Sequence, residues 1–292
     1  MLLWAITQAT INGLLQGGIY ALVAVGITVI FGVMKIVNFA MGEFVTLGMY
    51  MTWLLFFLTG MSAYTLIFPA LILVALISWA FFRTTIKPLL GRDMTSFVLM
   101  TFGIAYFLQN ALLIIFGADS LVVPSEIRTS ALFIGDFVIG LPRLIAFIVA
   151  LAGVFVLTFV LTKTSMGRAL RATSESAEIA EMLGINSVRM FTIAFVLGGT
   201  LAGLAGVLLT PLFFVTTGTG GALTTTGLMI VVLGGLGNIK GAFIGGLIVG
   251  VVESLVMVLY AAVLGQVGIF LIFLIIIYLK PQGLFGKGAR VA

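Results

Sequence analysis

The sequence has no cysteine and no histidine in 292 residues, and only 14 basic and 9 acidic side chains. Without cysteine there is no disulfide framework, thiolate nucleophile or iron–sulfur cluster, and the redox compartment cannot be read. Without histidine there is no imidazole base, haem ligand or histidine-built zinc site. No Asp/Glu pair has metal-binding spacing, so a membrane-embedded enzyme is disfavoured and no catalytic or metal residue can be named. No G-x-x-x-x-G-K-[ST] occurs, so any ATP must be bound elsewhere. Charged residues make up 8% of the chain, against about 25% in ordinary soluble domains. That is too little charge to cover a water-soluble body.

What fills the chain is apolar. Hydrophobic residues are 62% of it, the mean hydropathy is +1.34, and the apolar runs approach the roughly 20 residues a membrane helix needs. Segments read at 9–34, 43–59, 63–82, 95–116, 143–162, 191–215, 223–236, 240–262 and 266–279. The pattern predicts an all-α polytopic bundle of eight or nine membrane segments, one domain over 1–292. The first segment does not read as a signal peptide, because no basic residue precedes it and Gln8, Asn12 and Gln16 interrupt its apolar core.

Basic residues orient the chain. Arg83, Lys87 and Arg92 share one loop; Lys163, Arg168, Arg171 and Arg189 share another; Lys280, Lys287 and Arg290 form the tail. The positive-inside rule puts all three in the cytoplasm. The loop from Gly117 to Pro142 holds Asp119, Glu126 and Asp136 against Arg128 and faces outward. If every segment spans, the N-terminus is outside and the C-terminus inside; a re-entrant 223–236 breaks that parity. The net charge of +5 then reports loops facing anionic lipid, with no nucleic acid implied.

Two features carry functional information. The stretch 163–189, KTSMGRALRATSESAEIAEMLGINSVR, predicts an amphipathic helix over Met166–Leu183 that Gly184 stops. It reads either as a solvated loop helix or as a docking element. The stretches 32–48 and 234–250 interrupt apolar sequence with Lys35, Asn38 and Glu43, and with Asn238, Lys240 and several glycines. They are either turns at the membrane face or broken helices lining a path. Glu253 lies deep in its segment, either as a path residue or bonded between helices. Gln109 and Asn110 read as helix–helix hydrogen bonds, and Gly237, Gly241 and Gly245 as close-packing positions.

NFAMGEF after IFGVMKIV, GRALRATSESAEIAEMLGIN, and VVLGGLGNIKGAFIGGLIVGVVES resemble the LivH-type permease subunits of bacterial ABC importers for branched-chain amino acids, with relatives for urea and short-chain amides. The resemblance implies a multi-pass protein of the inner membrane with a cytoplasmic C-terminus. It implies four kinds of partner: a second, LivM-type permease, two cytoplasmic ATPases carrying the ATP and Mg, a periplasmic solute-binding protein, and membrane lipid. No cofactor is expected on this chain itself. The candidates for ATPase coupling are Gly167, Arg168, Arg171, Glu175, Ala177, Glu178 and Gly184. Those for the solute path are Gln16, Asn38, Glu43 and Glu253. Where the family commonly has histidine, this chain has Met41. From the residues alone, an ion-coupled secondary carrier using Glu43 and Glu253 is the competing reading.

Overall fold

Every apolar segment read from the sequence forms a helix in the structure, a computed structural model that describes residues 2–125 and 127–286. Glu126, Lys287 and Arg290 lie outside the described residues. The helices are α1 (Leu2–Met34), α2 (Met41–Thr59), α3 (Ile67–Phe81), α4 (Met94–Phe116), α5 (Leu141–Lys163), α6 (Ser165–Glu175), α7 (Ala177–Met182), α8 (Ser187–Leu209), α9 (Thr219–Gly234), α10 (Ile239–Leu259) and α11 (Gly265–Leu279). Among the described residues, eight helical stretches are long and apolar enough to cross a membrane, and α9 is a shorter apolar helix. The fold is a polytopic helical bundle.

Strands β1 (Ala131–Ile134) and β2 (Phe137–Gly140) form an antiparallel hairpin that the sequence reading left as loop. It is tied to the start of α1, which begins several residues before the predicted segment. Trp4 Nε1 donates to Asp136 O at 2.9 Å, and the Gln8 amide bonds both the N–H and the C=O of Val138.

Glycine sets the packing. Helix α1 runs through the centre against α10, and a Cβ on Gly13 or Gly17 would meet the Gly250 or Gly246 carbonyl at 2.6 or 2.8 Å. Small residues at four-residue intervals let the two backbones touch, as membrane helices without a hydrophobic driving force between them require. The pairings of Gly13 with Gly250 and Gly17 with Gly246 make α1 and α10 antiparallel. Gly26 lies against Gly198 of α8 in the same way.

These contacts define two ends. Lys35 shares a pocket with Arg92, and Arg83 and Lys87 share one with Arg189. Lys240 lies beside the 281–286 segment that follows Lys280. Most of the described cations therefore lie at one end, while the hairpin with Asp136, together with Arg128 and Arg143, occupies the other. These are the basic end and the hairpin end.

Two expectations change at this level. The helix predicted over Met166–Leu183 is two helices, because Ser176 caps a new one: its Oγ accepts from Ile179 N at 3.2 Å. The interrupted stretches 32–48 and 234–250 also differ in kind. The second break, between α9 and α10, is a turn at the basic end, and α10 runs unbroken through Gly250. The first break turns the chain back into the bundle.

Candidate functional site

The return begins at Lys35, which takes φ 57° and ends α1. The backbone is then non-helical to Ala40. Asn38 is buried, and its Oδ1 accepts from Ala40 N at 2.9 Å, which closes the turn from which α2 starts. Its Nδ2 has no partner. Helix α2 runs beside α8 in the same direction, Gly48 against Gly203 and Gly206 against Met49, and so heads for the hairpin end.

Helix α9 starts at about the same level and runs the other way. Gly227 packs on Val23 and Ile27 of α1, and Gly234 reaches Gly241 at the basic end. Counting back eight residues from Gly227, about 12 Å at 1.5 Å per residue, puts Thr219 roughly half-way along α1. The segment feeding α9 descends from the hairpin end, where Val215 pairs with Leu121. The stretch Thr224–Gly227 lies in α9, the inner half of a crossing that begins as coil.

The N-termini of α2 and α9 meet. Gly42 N donates to Thr224 Oγ1 at 2.8 Å, and that hydroxyl donates to Gly220 O at 3.1 Å. No side chain fits at Gly42, whose Cβ would collide with the Gly220 carbonyl. Glu43, in the first turn of α2, is 4% exposed. One carboxylate oxygen lies where a Cβ on Gly220 would be, at 2.6 Å, and the other, Oε2, has no hydrogen-bond partner. Helix N-termini carry partial positive charge and orphan N–H groups, and this side chain lies where two of them come together.

Glu43 opens onto a cleft of about 470 Å³ between α2, α4, α9 and α11. Phe39 and Phe102 stack across one wall at 4.4 Å, and Tyr106, Gln109, Thr224 and Thr225 supply polar groups. Tyr106 is exposed on the bundle surface, so the cleft opens sideways. Sequence reasoning missed Phe39, Phe102, Tyr106 and Thr224 as cleft residues. Gln109, read as a helix–helix bond, is in the cleft wall, whereas Asn110 bonds the Tyr106 carbonyl of its own helix. Met41 is fully buried, its Cε against Gly26, and does not line the cleft.

The four candidate path residues separate into two groups. Asn38 and Glu43 belong to the meeting point. Glu253 of α10 faces the Tyr20 hydroxyl, which Gln16 also approaches. This second cluster sits between α1, α10 and the start of α11 at Gly265, and Glu253 is absent from the cleft wall.

The other functional stretch, α6–α7, forms an arm at the basic end. Thr164 caps α6, its Oγ1 accepting from Gly167 N at 3.0 Å. Gly167 packs on the carbonyls of Val160 and Leu161, leaving no room for a side chain. Arg171 donates to Leu161 O and pins the arm to the end of α5. Ala177 O accepts from Ser187 Oγ at 3.0 Å, which ties α7 to α8. Gly184, at φ 81°, stops the arm as expected, with Ile185 N bonding Ala180 O at 2.9 Å. Of the seven coupling candidates, Gly167, Arg171, Ala177 and Gly184 thus hold the arm's shape. Arg168, Glu175 and Glu178 are exposed on it. At the tip, Ile179, Met182 and Leu183 are 60%, 85% and 74% exposed.

A family model described as branched-chain amino acid transport system, permease component, matches residues 9–279. The chain is 29% identical to the high-affinity branched-chain amino acid transport system permease protein BraD of Pseudomonas aeruginosa, over 96% of this chain and 95% of that protein. It is 29% identical to the corresponding LivH protein of Escherichia coli K12, over 96% and 95%. It is 30% identical to the probable branched-chain amino acid transport permease protein LivH of Methanocaldococcus jannaschii, over 94% and 91%. No solved structure matches the chain.

Proposed function

This chain belongs to the family of permease components of branched-chain amino acid transport systems, and from that premise we propose that it is the membrane subunit of a bacterial ABC importer. The observation that carries the reading is the arm: an anchored pair of helices presenting three bare apolar side chains at the end where most of the cations lie. The positive-inside rule makes that end cytoplasmic, and with it the C-terminal segment. A short helix with an exposed apolar tip fits a groove on a cytoplasmic partner. That partner is an ATPase subunit, two of which supply the ATP and Mg that this chain does not bind. The hairpin end then faces the periplasm and receives the solute-binding protein.

The sideways-open cleft supports a path completed by a second, LivM-type permease, whose surface would close it. ATP binding at the arms would rock the pair between outward- and inward-facing states, with solute following its difference in affinity between them. Within the cleft, the carboxyl group of Glu43 suits the ammonium of an amino acid, and the N-terminus of α9 suits its carboxylate. The apolar walls from Phe39 and Phe102 suit a branched aliphatic side chain. Urea and short-chain amides, the other solutes of similar permeases, use neither charge.

The test is uptake of leucine, isoleucine or valine by the assembled importer in proteoliposomes. ATP-driven, vanadate-sensitive uptake is expected. Uptake driven by a pH gradient without ATP would overturn the reading in favour of an ion-coupled carrier. That alternative uses Glu43 and Glu253 as coupling groups, and their place in two separate clusters gives it no shared site.

A further inference from the structure

The groove between α3 and α8 at the basic end has no part in the reading above. It measures about 890 Å³. Its lower walls are apolar, with Ile72, Leu76 and Trp79 of α3 facing Ile193 and Leu197 of α8. Its rim carries Arg83, Lys87 and Arg189, and no carboxylate lines it. The local fold is what brings the cations together. After Phe81 the helix widens into a π turn over Phe82–Ile86, followed by a tight turn over Lys87–Leu89. Bonds of the i→i+5 kind stack residues four and five apart, which places Arg83 and Lys87 over the same side of the groove. The Arg83 guanidinium rests 5.6 Å from the centre of the Trp79 ring, which holds its charge at the groove edge. Arg189 comes from the first turn of α8, the helix that follows the arm.

We propose that this groove is a binding site for an anionic phospholipid, with an acyl chain along the Ile72–Trp79 wall and the phosphate under Arg83, Lys87 and Arg189. Charge complementarity selects the occupant. Three cations with no acid between them favour an anion, and an apolar channel beneath them favours a chain attached to it. Basic pockets between membrane helices on the cytoplasmic side have this chemistry. A headgroup held there bridges the loop after α3 to the base of α8, and so stiffens the element from which the arm is hung.

Native mass spectrometry of the detergent-purified full chain, titrated with phosphatidylglycerol and with phosphatidylcholine of the same chains, tests this. The wild type should retain phosphatidylglycerol preferentially. Arg83→Gln, Lys87→Gln and Arg189→Gln should each reduce that preference about fivefold, since each cation near the surface contributes about 1 kcal/mol. Arg92→Gln, outside the groove, should leave it unchanged, and Arg189→Lys should retain it. Leu76→Trp, which fills the channel with the rim intact, should weaken retention of both lipids. Equal retention of the two lipids by the wild type, or unchanged preference in the three rim variants, overturns the proposal. So does loss of bound phosphatidylglycerol to millimolar inorganic phosphate with Leu76→Trp silent, since that marks an anion site without a lipid chain.

Discussion

Replacing Thr224 by valine tests the meeting of α2 and α9 at its one direct bond. The two side chains have the same shape, so the change exchanges a hydroxyl for a methyl. Two bonds are lost, from Gly42 N at 2.8 Å and to Gly220 O at 3.1 Å. The second loss is minor, because a carbonyl inside a helix keeps its backbone partner. The first strands a buried N–H in the opening turn of α2, which no side chain caps. An orphaned buried donor costs about 1–3 kcal/mol. At 1.4 kcal/mol per decade, the ratio of folded to unfolded protein should fall by about fivefold to more than a hundredfold. The assay is a reversible denaturant titration of the purified chain in mixed micelles, followed by tryptophan fluorescence. Thr224→Ser keeps the oxygen and should lose less than Thr224→Val. A valine variant as stable as the wild type, or a serine variant that loses more than valine, refutes the view that this hydroxyl joins the two helices.

Four further outcomes are expected. Glu43→Gln should reduce uptake of a branched-chain amino acid through KM while leaving basal ATP hydrolysis by the complex intact; unaltered uptake means the solute does not use that carboxylate. Gly184→Val, forced into a left-handed conformation at φ 81° that costs a β-branched residue roughly 1–2 kcal/mol, should uncouple ATP hydrolysis from transport without loss of membrane insertion. Arg171→Gln should do the same more weakly by freeing α6 from the end of α5, seen as faster proteolysis of the arm. Asp93 caps α4, and hydrogen bonds from Ser96 hold its carboxyl below the ordinary value. The folded pKa is depressed, so its contribution is present above about pH 3.9 and is lost as pH falls through the folded value; Asp93→Asn should flatten that acid limb in a thermal melt.

The helices were legible because apolar run length is a one-dimensional signal. All nine segments appear, several within one or two residues of their predicted ends, and Gly184 stops the arm where its φ requires glycine. Depth is not one-dimensional. Asn38 and Asn238 both follow glycine-rich apolar sequence, yet the first lies in a coil turned into the bundle and the second caps α10 at the basic end, its Oδ1 on Gly241 N. Only the level at which α1 passes Gly227 shows that α9 begins half-way down. Ser176 looked like one polar residue in an amphipathic helix, and its capping bond to Ile179 is a local choice that propensity alone does not decide. The clustering of Glu253 with Tyr20 and Gln16 follows from the close α1–α10 contact. Its glycines were visible in the sequence as a packing signal without a named partner.

The head-to-head start of α2 and α9 has a mechanical consequence. A helix that runs through a bundle acts as a lever, so tilting one end swings the other in the opposite sense. Here two of the crossings are cut at the same height. Helix α2 is clamped to α8 on one side of the meeting point, and the shorter α9 is clamped to α1 and α10 on the other. Where they meet they share one hydrogen bond, and Gly42 and Glu43 pack directly against Gly220. The two helices therefore need not turn together: α2 follows α8, whereas α9 follows α1 and α10. The cut becomes a shear layer, and Glu43 sits in it, where small relative displacements of the two helices alter its surroundings most.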